Sequence, residues 1–364
     1  VSGLLDASVA GPSARDRATK RDRLLELLEQ RRAEALVLRS HGAVSWYLDG
    51  VRTHVSLSGD PVVGVVVRRD GDEVRVFANE AERFAAEELL PSDAAAIVPV
   101  PWHEPLLPAL GGPSLPRVLD ETDLAAELRA ARASLLPGET ARYRALGRTA
   151  AEVLTDVAAA ADPAQAEREV AAAIAGGLAA RGIDPLVVLV AGASRLGVRH
   201  PLPTAAPLGR RAMLVACGRR AGLIANLTRW VRFGAAEPDE QDASSRILHV
   251  EAGFLVATRP GRRLDAVLAD GVAGYARHGF AADEWRRHHQ GGAAGYVGRD
   301  PRAVPGAADR VQVGQAFAWN PSAPGAKVED TMLLGASGFD VLTSDPRWPS
   351  LEIGGLARPI ELER

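Results

Sequence analysis

The chain has 364 residues, 47% of them apolar and 24% charged, and a formal net charge of −3. That length and apolar content can fill two cores of ordinary size and exclude a disordered chain. A near-neutral balance without basic blocks argues against nucleic acid as a partner, and no run approaches the roughly 20 apolar residues of a membrane span.

The N-terminal stretch, residues 1–23, lacks a long apolar core after a basic start and does not read as a secretory signal, so a soluble cytoplasmic protein is expected. Residues 14–33 place Leu24, Leu25, Leu27 and Leu28 on one stripe of a charged helix. A strand follows at 35–40, then a hairpin over 62–78 with Asp70-Gly71 between two β-branched runs, then an amphipathic helix at 79–90. These make a small αβ domain spanning residues 1–133. Pro137-Gly138 breaks the chain, and Glu139 or Thr140 can open the next helix, so a second domain is expected over 138–364.

In the second domain two Ala-rich helices occupy about 139–161 and 164–181, and apolar strands follow at 186–191, 212–217 and 223–231. The single cysteine, Cys217, closes the second of these runs and is expected to be a buried, inert thiol; one cysteine builds neither a disulfide nor a thiolate metal cluster within the chain. Helices near 237–256 and 263–278 and a strand pair around 314–319 and 328–335 complete the order. The class is mixed α/β of the α+β kind, with hairpin-like strand pairs in place of the regular alternation of a doubly wound sheet.

Four segments combine polar side chains with glycines or prolines that fix the backbone: 194–204, 222–234, 288–300 and 314–334. His288 and His289, followed by Gln290-Gly291-Gly292, put two rings at a tight turn where glycines let a ligand approach the main chain. Tyr296 can donate a hydrogen bond. Arg199, Arg229 and Arg299 offer planar forks suited to a carboxylate. Basic residues number 43, yet only Lys20 and Lys327 among them are lysines.

Together these segments resemble the "pita-bread" family of creatinase, aminopeptidase P, prolidase and methionine aminopeptidase. The anchors are the His-Pro of "RHPLP", the segment "GLIANLTRWVRFG" where the family has a glycine turn and then Asp-Ile-Thr-Arg, "HQGGAAGY" for His-Gly-Ile-Gly, and "FAWNP…VEDT" for Phe-Thr-Ile-Glu-Pro…Ile-Glu-Asp-Thr. The resemblance covers most of the chain and implies a C-terminal pita-bread domain behind a smaller creatinase-like N-terminal αβ domain.

Peptidases of that family hold two divalent ions with two Asp, one His and two Glu. Those positions fall here on Val215, Asn226, His289, Asn320 and Glu329, and no Asp or Glu occurs anywhere from Arg210 to Phe233. Two dications about 3.5–4 Å apart repel by roughly 20 kcal/mol even at an effective dielectric near 20, and one carboxylate does not offset that. The resemblance therefore implies no dinuclear metal cofactor, with a single divalent ion on His289 and Glu329, joined by His288, as the remaining metal option. Asn320 keeps the outline of a carboxylate while offering an amide, and Glu329 becomes an anchor for a cationic substrate group or a relic.

Creatinase supplies the precedent for metal-free chemistry, since it hydrolyses a C–N bond with a histidine as proton carrier. His200 resembles that histidine, and an imidazole with an ordinary pKa near 6.5 suits the work. Residues 45–55 resemble the lobe segment that reaches the partner subunit's pocket, which implies a homodimer with Trp46, Tyr47, Arg52 and His54 as lid residues. Three readings stay open. The first is a metal-independent hydrolase or lyase of a small amino-acid-like or C–N-bonded substrate, with His200, His289 and Glu329 catalytic and Asn320, Asn226, Arg229, His288, Tyr296, Arg199, Tyr47 and Arg52 binding substrate. The second is a non-catalytic module for a peptide or partner protein, as related domains are in histone chaperones. The third is a metal-dependent Xaa-Pro aminopeptidase or dipeptidase with a rebuilt site.

Overall fold

The computed structural model describes residues 11–107 and 117–364. The first ten residues of the expected N-terminal domain, which also open the stretch read for a secretory signal, lie outside them. The chain divides into two compact units after Arg142, with residues 221–223 counted with the first. This division falls inside the helix Pro137–Ala160, beyond the expected join at 133–138. The reason is electrostatic. Arg142 reaches Asp49 at 2.7 and 3.1 Å, and Lys20 lies 2.9 Å from Glu139, so the first turns of that helix are tied to the N-terminal unit by buried charge.

The N-terminal unit carries a five-stranded sheet in the order Ile97–Val100, Asp72–Phe77, Val63–Arg68, Ala35–Leu38, Val118–Asp120. Its central hairpin turns at Asp70-Gly71 as the sequence predicts, pairing Val63–Arg68 antiparallel with Asp72–Phe77. The helix Ala14–Gln30 starts on Ser13, whose hydroxyl accepts from the Asp16 amide, and buries Leu24, Leu27 and Leu28. The helix expected at 79–90 is broken into a turn at Ala81–Arg83 and a wider π-turn at Phe84–Glu88, ending where Pro91 begins the next element.

The C-terminal unit has two four-stranded sheets. One runs Leu362–Glu363, Leu223–Arg232, Arg211–Arg220, Asp184–Ala191. Its long strands are joined by Ala221-Gly222, both at positive φ (49° and 74°), the tight turn that matches strand twist. The other runs Gly338–Val341, Met332–Gly335, Ala316–Trp319, Gly291–Ala294. The helices Pro238–Ala257 and Leu264–Arg277 pack on the second sheet, where the Phe254 and Trp319 rings stack at 4.7 Å. Gly271 is required there, because a Cβ would fall 2.2 Å from the Phe254 ring. Among the described residues no helix is long and apolar enough to cross a membrane.

Candidate functional site

The two sheets of the C-terminal unit flank an open cavity of about 690 Å³, within the range of small-molecule sites. Strand alternation decides which side chains reach it. Along Leu223–Arg232, Ile224 and Asn226 face the cavity, and Thr228 meets Glu329 at 3.1 Å; Val215 and Cys217 come from the neighbouring strand. Arg229 points the opposite way. It is buried, bonds Asp330 at 2.9 Å and the Thr343 carbonyl at 2.5 Å, and corrects the expectation that it binds substrate.

The second sheet brings His289 and Asn320 together. Gly291 pairs with Trp319 across antiparallel strands, and the Asn320 backbone amide donates to the Gln290 carbonyl at 3.1 Å, so His289 and Asn320, distant in sequence, share one wall. The glycines after His289 serve this approach and not a ligand: a Cβ on Gly291 would stand 2.0 Å from the Ala318 carbonyl oxygen, and one on Gly292 2.6 Å from the Ala303 nitrogen.

Glu329 is 2% exposed and fully engaged. Its Oε2 accepts from Lys327 Nζ at 2.8 Å and from the Thr228 hydroxyl, and its Oε1 accepts from Arg299. Burial alone raises a carboxyl pKa, but Lys327 and Arg299 outweigh it and hold Glu329 down at about 2. An ammonium and a guanidinium from the chain itself already compensate this carboxylate, which argues against its expected role as a clamp for a cationic substrate group or as a single-ion ligand.

His200 lies on the loop after Asp184–Ala191 and lines the cavity with His289. Behind them stands His288, whose Nε2 is 3.0 Å from His200 Nε2 and whose Nδ1 is 3.1 Å from Ser322 Oγ. Burial, then the charge of Lys327, lowers the His200 pKa and brings His288 to about 2; burial, then Arg299, brings His289 to about 4. All three rings are therefore neutral near pH 7. Two cavity-wall acceptors are buried with no partner among the described residues, His289 Nδ1 and Asn320 Oδ1. Leaving a buried polar group unpaired costs about 1–3 kcal/mol.

Several expected residues lie elsewhere. Arg199 is ion-paired with Glu284, and Tyr296 is buried outside the cavity lining. In the N-terminal unit Tyr47 is a core residue whose hydroxyl bonds Asp72 at 2.7 Å, so it presents no lid surface; Arg52 is half exposed and bonds Glu88. Cys217 is half-buried on the cavity wall, and burial, reinforced by the Glu329 charge, pushes its thiol up to about 12, which keeps it protonated and inert. Sequence reasoning missed Lys327 and Arg302 and placed Arg299 only as a candidate fork. The scarcity of lysine was the available signal, for both Lys20 and Lys327 are buried in ion pairs.

The sequence profile of metallopeptidase family M24 matches residues 141–336, more than half of the chain. The chain belongs to metallopeptidase family M24. Its fold is similar to that of a dipeptidase PepE from Mycobacterium ulcerans, at 18% identity with a TM-score of 0.74 over 98% of this chain and all of the other. A prolidase from Pyrococcus horikoshii OT3 is similar at 16% identity, with a TM-score of 0.72 over 90% of this chain and 99% of that one. The N-terminal domain of FACT complex subunit SPT16 from chickpea, Cicer arietinum, is similar at 14% identity, with a TM-score of 0.64 over 90% and 97%. No curated protein matches the chain in sequence.

The five positions that the resemblance assigns to the metal set, Val215, Asn226, His289, Asn320 and Glu329, all line the cavity. Their chemistry does not fit a pair of dications. One is apolar, two are neutral amides, and the sole carboxylate is bound by an ammonium and a guanidinium. With Arg302, the lining holds three cations against one carboxylate, the reverse of the balance two metal ions need.

Proposed function

We propose that this M24 chain is a metal-independent, creatinase-like hydrolase of a small amino-acid-like substrate with a scissile C–N bond. The observation that carries the reading is the Lys327–Glu329–Arg299 cluster: the one carboxylate of the former metal set is neutralised by the chain's own cations. The surplus positive charge of the lining matches a substrate carboxylate, and the Asn226 and Asn320 amides among the lining residues match a polar amide, ureido or guanidino group. In the reaction, neutral His200 takes a proton from water as its oxygen bonds to the substrate carbon, then returns that proton to the nitrogen as the C–N bond breaks. The His289 ring, 5.7 Å from that of His200, supports a part for it as the second proton-handling group.

Full-length protein stripped with chelator and assayed against N-carbamoyl, N-acyl and guanidino amino acids tests this. Turnover that survives chelator and is lost in His200→Asn supports the reading. Turnover of Xaa-Pro dipeptides that requires added Mn²⁺, with one or two Mn²⁺ retained per chain after desalting, overturns it in favour of a rebuilt metallopeptidase.

A second reading, a non-catalytic module for a peptide or partner protein, is favoured by the likeness to the SPT16 N-terminal domain. It predicts bound peptide and no turnover of any class. The proposal includes a homodimer, for which light scattering on the full chain gives the mass directly.

A further inference from the structure

His200, His288 and His289 each place one potential ligand atom so that the three lie within 4.8 Å of one another. This donor set shares only His289 with the positions expected for the M24 set and contains no carboxylate. Around a tetrahedral ion with bonds of about 2.0–2.1 Å, ligand nitrogens stand roughly 3.3 Å apart. The His200 and His288 Nε2 atoms are already at 3.0 Å. The remaining separations are at most 4.8 Å and need to close by about 1.5 Å, and His200 is the most exposed of the three.

Two further observations point the same way. His288 Nδ1 is held by Ser322 Oγ at 3.1 Å, the outer hydrogen bond that orients a ligating imidazole and leaves Nε2 for the ion. His289 Nδ1 is buried without a partner.

We infer that His200, His288 and His289 form a trihistidine site for one borderline divalent transition ion of the zinc or copper type. An all-imidazole set selects zinc, copper and nickel over magnesium, calcium and manganese. Lys327, Arg299 and Arg302, countered only by Glu329 among the lining residues, oppose a bare dication and favour one that carries an anion, hydroxide or chloride, in its fourth position. The consequence rests on the proposed function: an ion that takes the His200 lone pair removes the proton carrier, so zinc inhibits this hydrolase where metal activates its peptidase relatives.

The test is binding, read without turnover. Chelator-stripped full-length protein is titrated with Co²⁺, followed by its visible absorption, and Zn²⁺ is then added as competitor. One Co²⁺ per chain with tetrahedral bands, displaced by Zn²⁺ and not by Mg²⁺ or Mn²⁺, is expected. His200→Gln, at an exposed position that leaves folding intact, abolishes the bands, and Ser322→Ala weakens binding about 10–100-fold. Absence of bands at millimolar Co²⁺, or bands unchanged in both His200→Gln and His288→Gln with native melting curves, overturns the site. Zinc bound as expected while turnover continues overturns the inhibitory consequence alone, and absence of turnover in every condition overturns the hydrolase reading while leaving the site standing.

Discussion

Lys327 Nζ lies 2.8 Å from Glu329 Oε2 across a single intervening residue, and Arg299 closes on the other oxygen. Both side chains of the Lys327–Glu329 pair are nearly inaccessible, at 6% and 3%. Removing one partner of a buried pair leaves an uncompensated charge, typically costing about 3–5 kcal/mol. Glu329→Gln strands two cations, whereas Lys327→Met leaves Arg299 and Thr228 on the carboxylate. Urea unfolding should therefore rank Glu329→Gln as the more destabilised. Equal midpoints for the two variants and the parent chain would show that the cluster is solvated and sink the charge-replacement argument.

Acid should destabilise the C-terminal unit from just below neutral pH. His288 and His289 have folded pKa values of about 2 and about 4, below the ordinary value near 6.5, so the unfolded chain binds more protons once pH drops under 6.5. Their contribution is complete above pH 6.5 and declines as pH falls toward those folded values, at about 1.4 kcal/mol per pH unit for each ring. Glu329, lowered from its ordinary range to about 2, acts in the same direction, with stability present above about 4.5 and lost toward pH 2. Denaturation midpoints measured from pH 7 to pH 4 check this, and His288→Gln should flatten the slope. A midpoint independent of pH over that window contradicts it.

Arg229→Ala should damage the fold and spare the cavity. Arg229 and Arg358 both bind Asp330, and Arg358 binds Glu251 at 2.7 Å, so a buried four-residue charge network depends on it. A loss of about 3–5 kcal/mol is expected. Ligand affinity of the protein still folded at low temperature should be unchanged; a large affinity loss with native stability would place Arg229 in the site after all.

The Cys217 thiol should resist Ellman's reagent at pH 8, because its pKa is pushed up to about 12 and almost no thiolate is present. Reaction should become rapid in urea. Fast labelling of the native chain would show an ionised, reactive cysteine on the cavity wall.

Much of the site was legible as motif order. His200, Asn226, His289, Asn320 and Glu329 were each named from four segments scattered over more than 130 residues, and all five line one cavity. The missing carboxylates were legible too, because an absence of Asp and Glu from Arg210 to Phe233 is a property of the sequence. What failed was direction. Arg229 sits one residue from Thr228, and Asp330 one residue from Glu329, and in extended chain such neighbours face opposite sides. Nothing in a local motif says which side holds the cavity. Tyr47 and Arg199 failed for a related reason, since their partners Asp72 and Glu284 come from distant segments.

The sequence by itself determined the two-domain mixed architecture, the order of the motifs and the absence of Asp and Glu from Arg210 to Phe233, because periodicity, turn chemistry and residue identity are local properties. Only the tertiary structure decided what became of the remaining charge. Arg299 reaches Glu329 across 30 residues, and His200 reaches His288 across 88. A buried charge must find its counter-charge somewhere in the fold, and where it does so depends on packing that no short stretch of sequence contains.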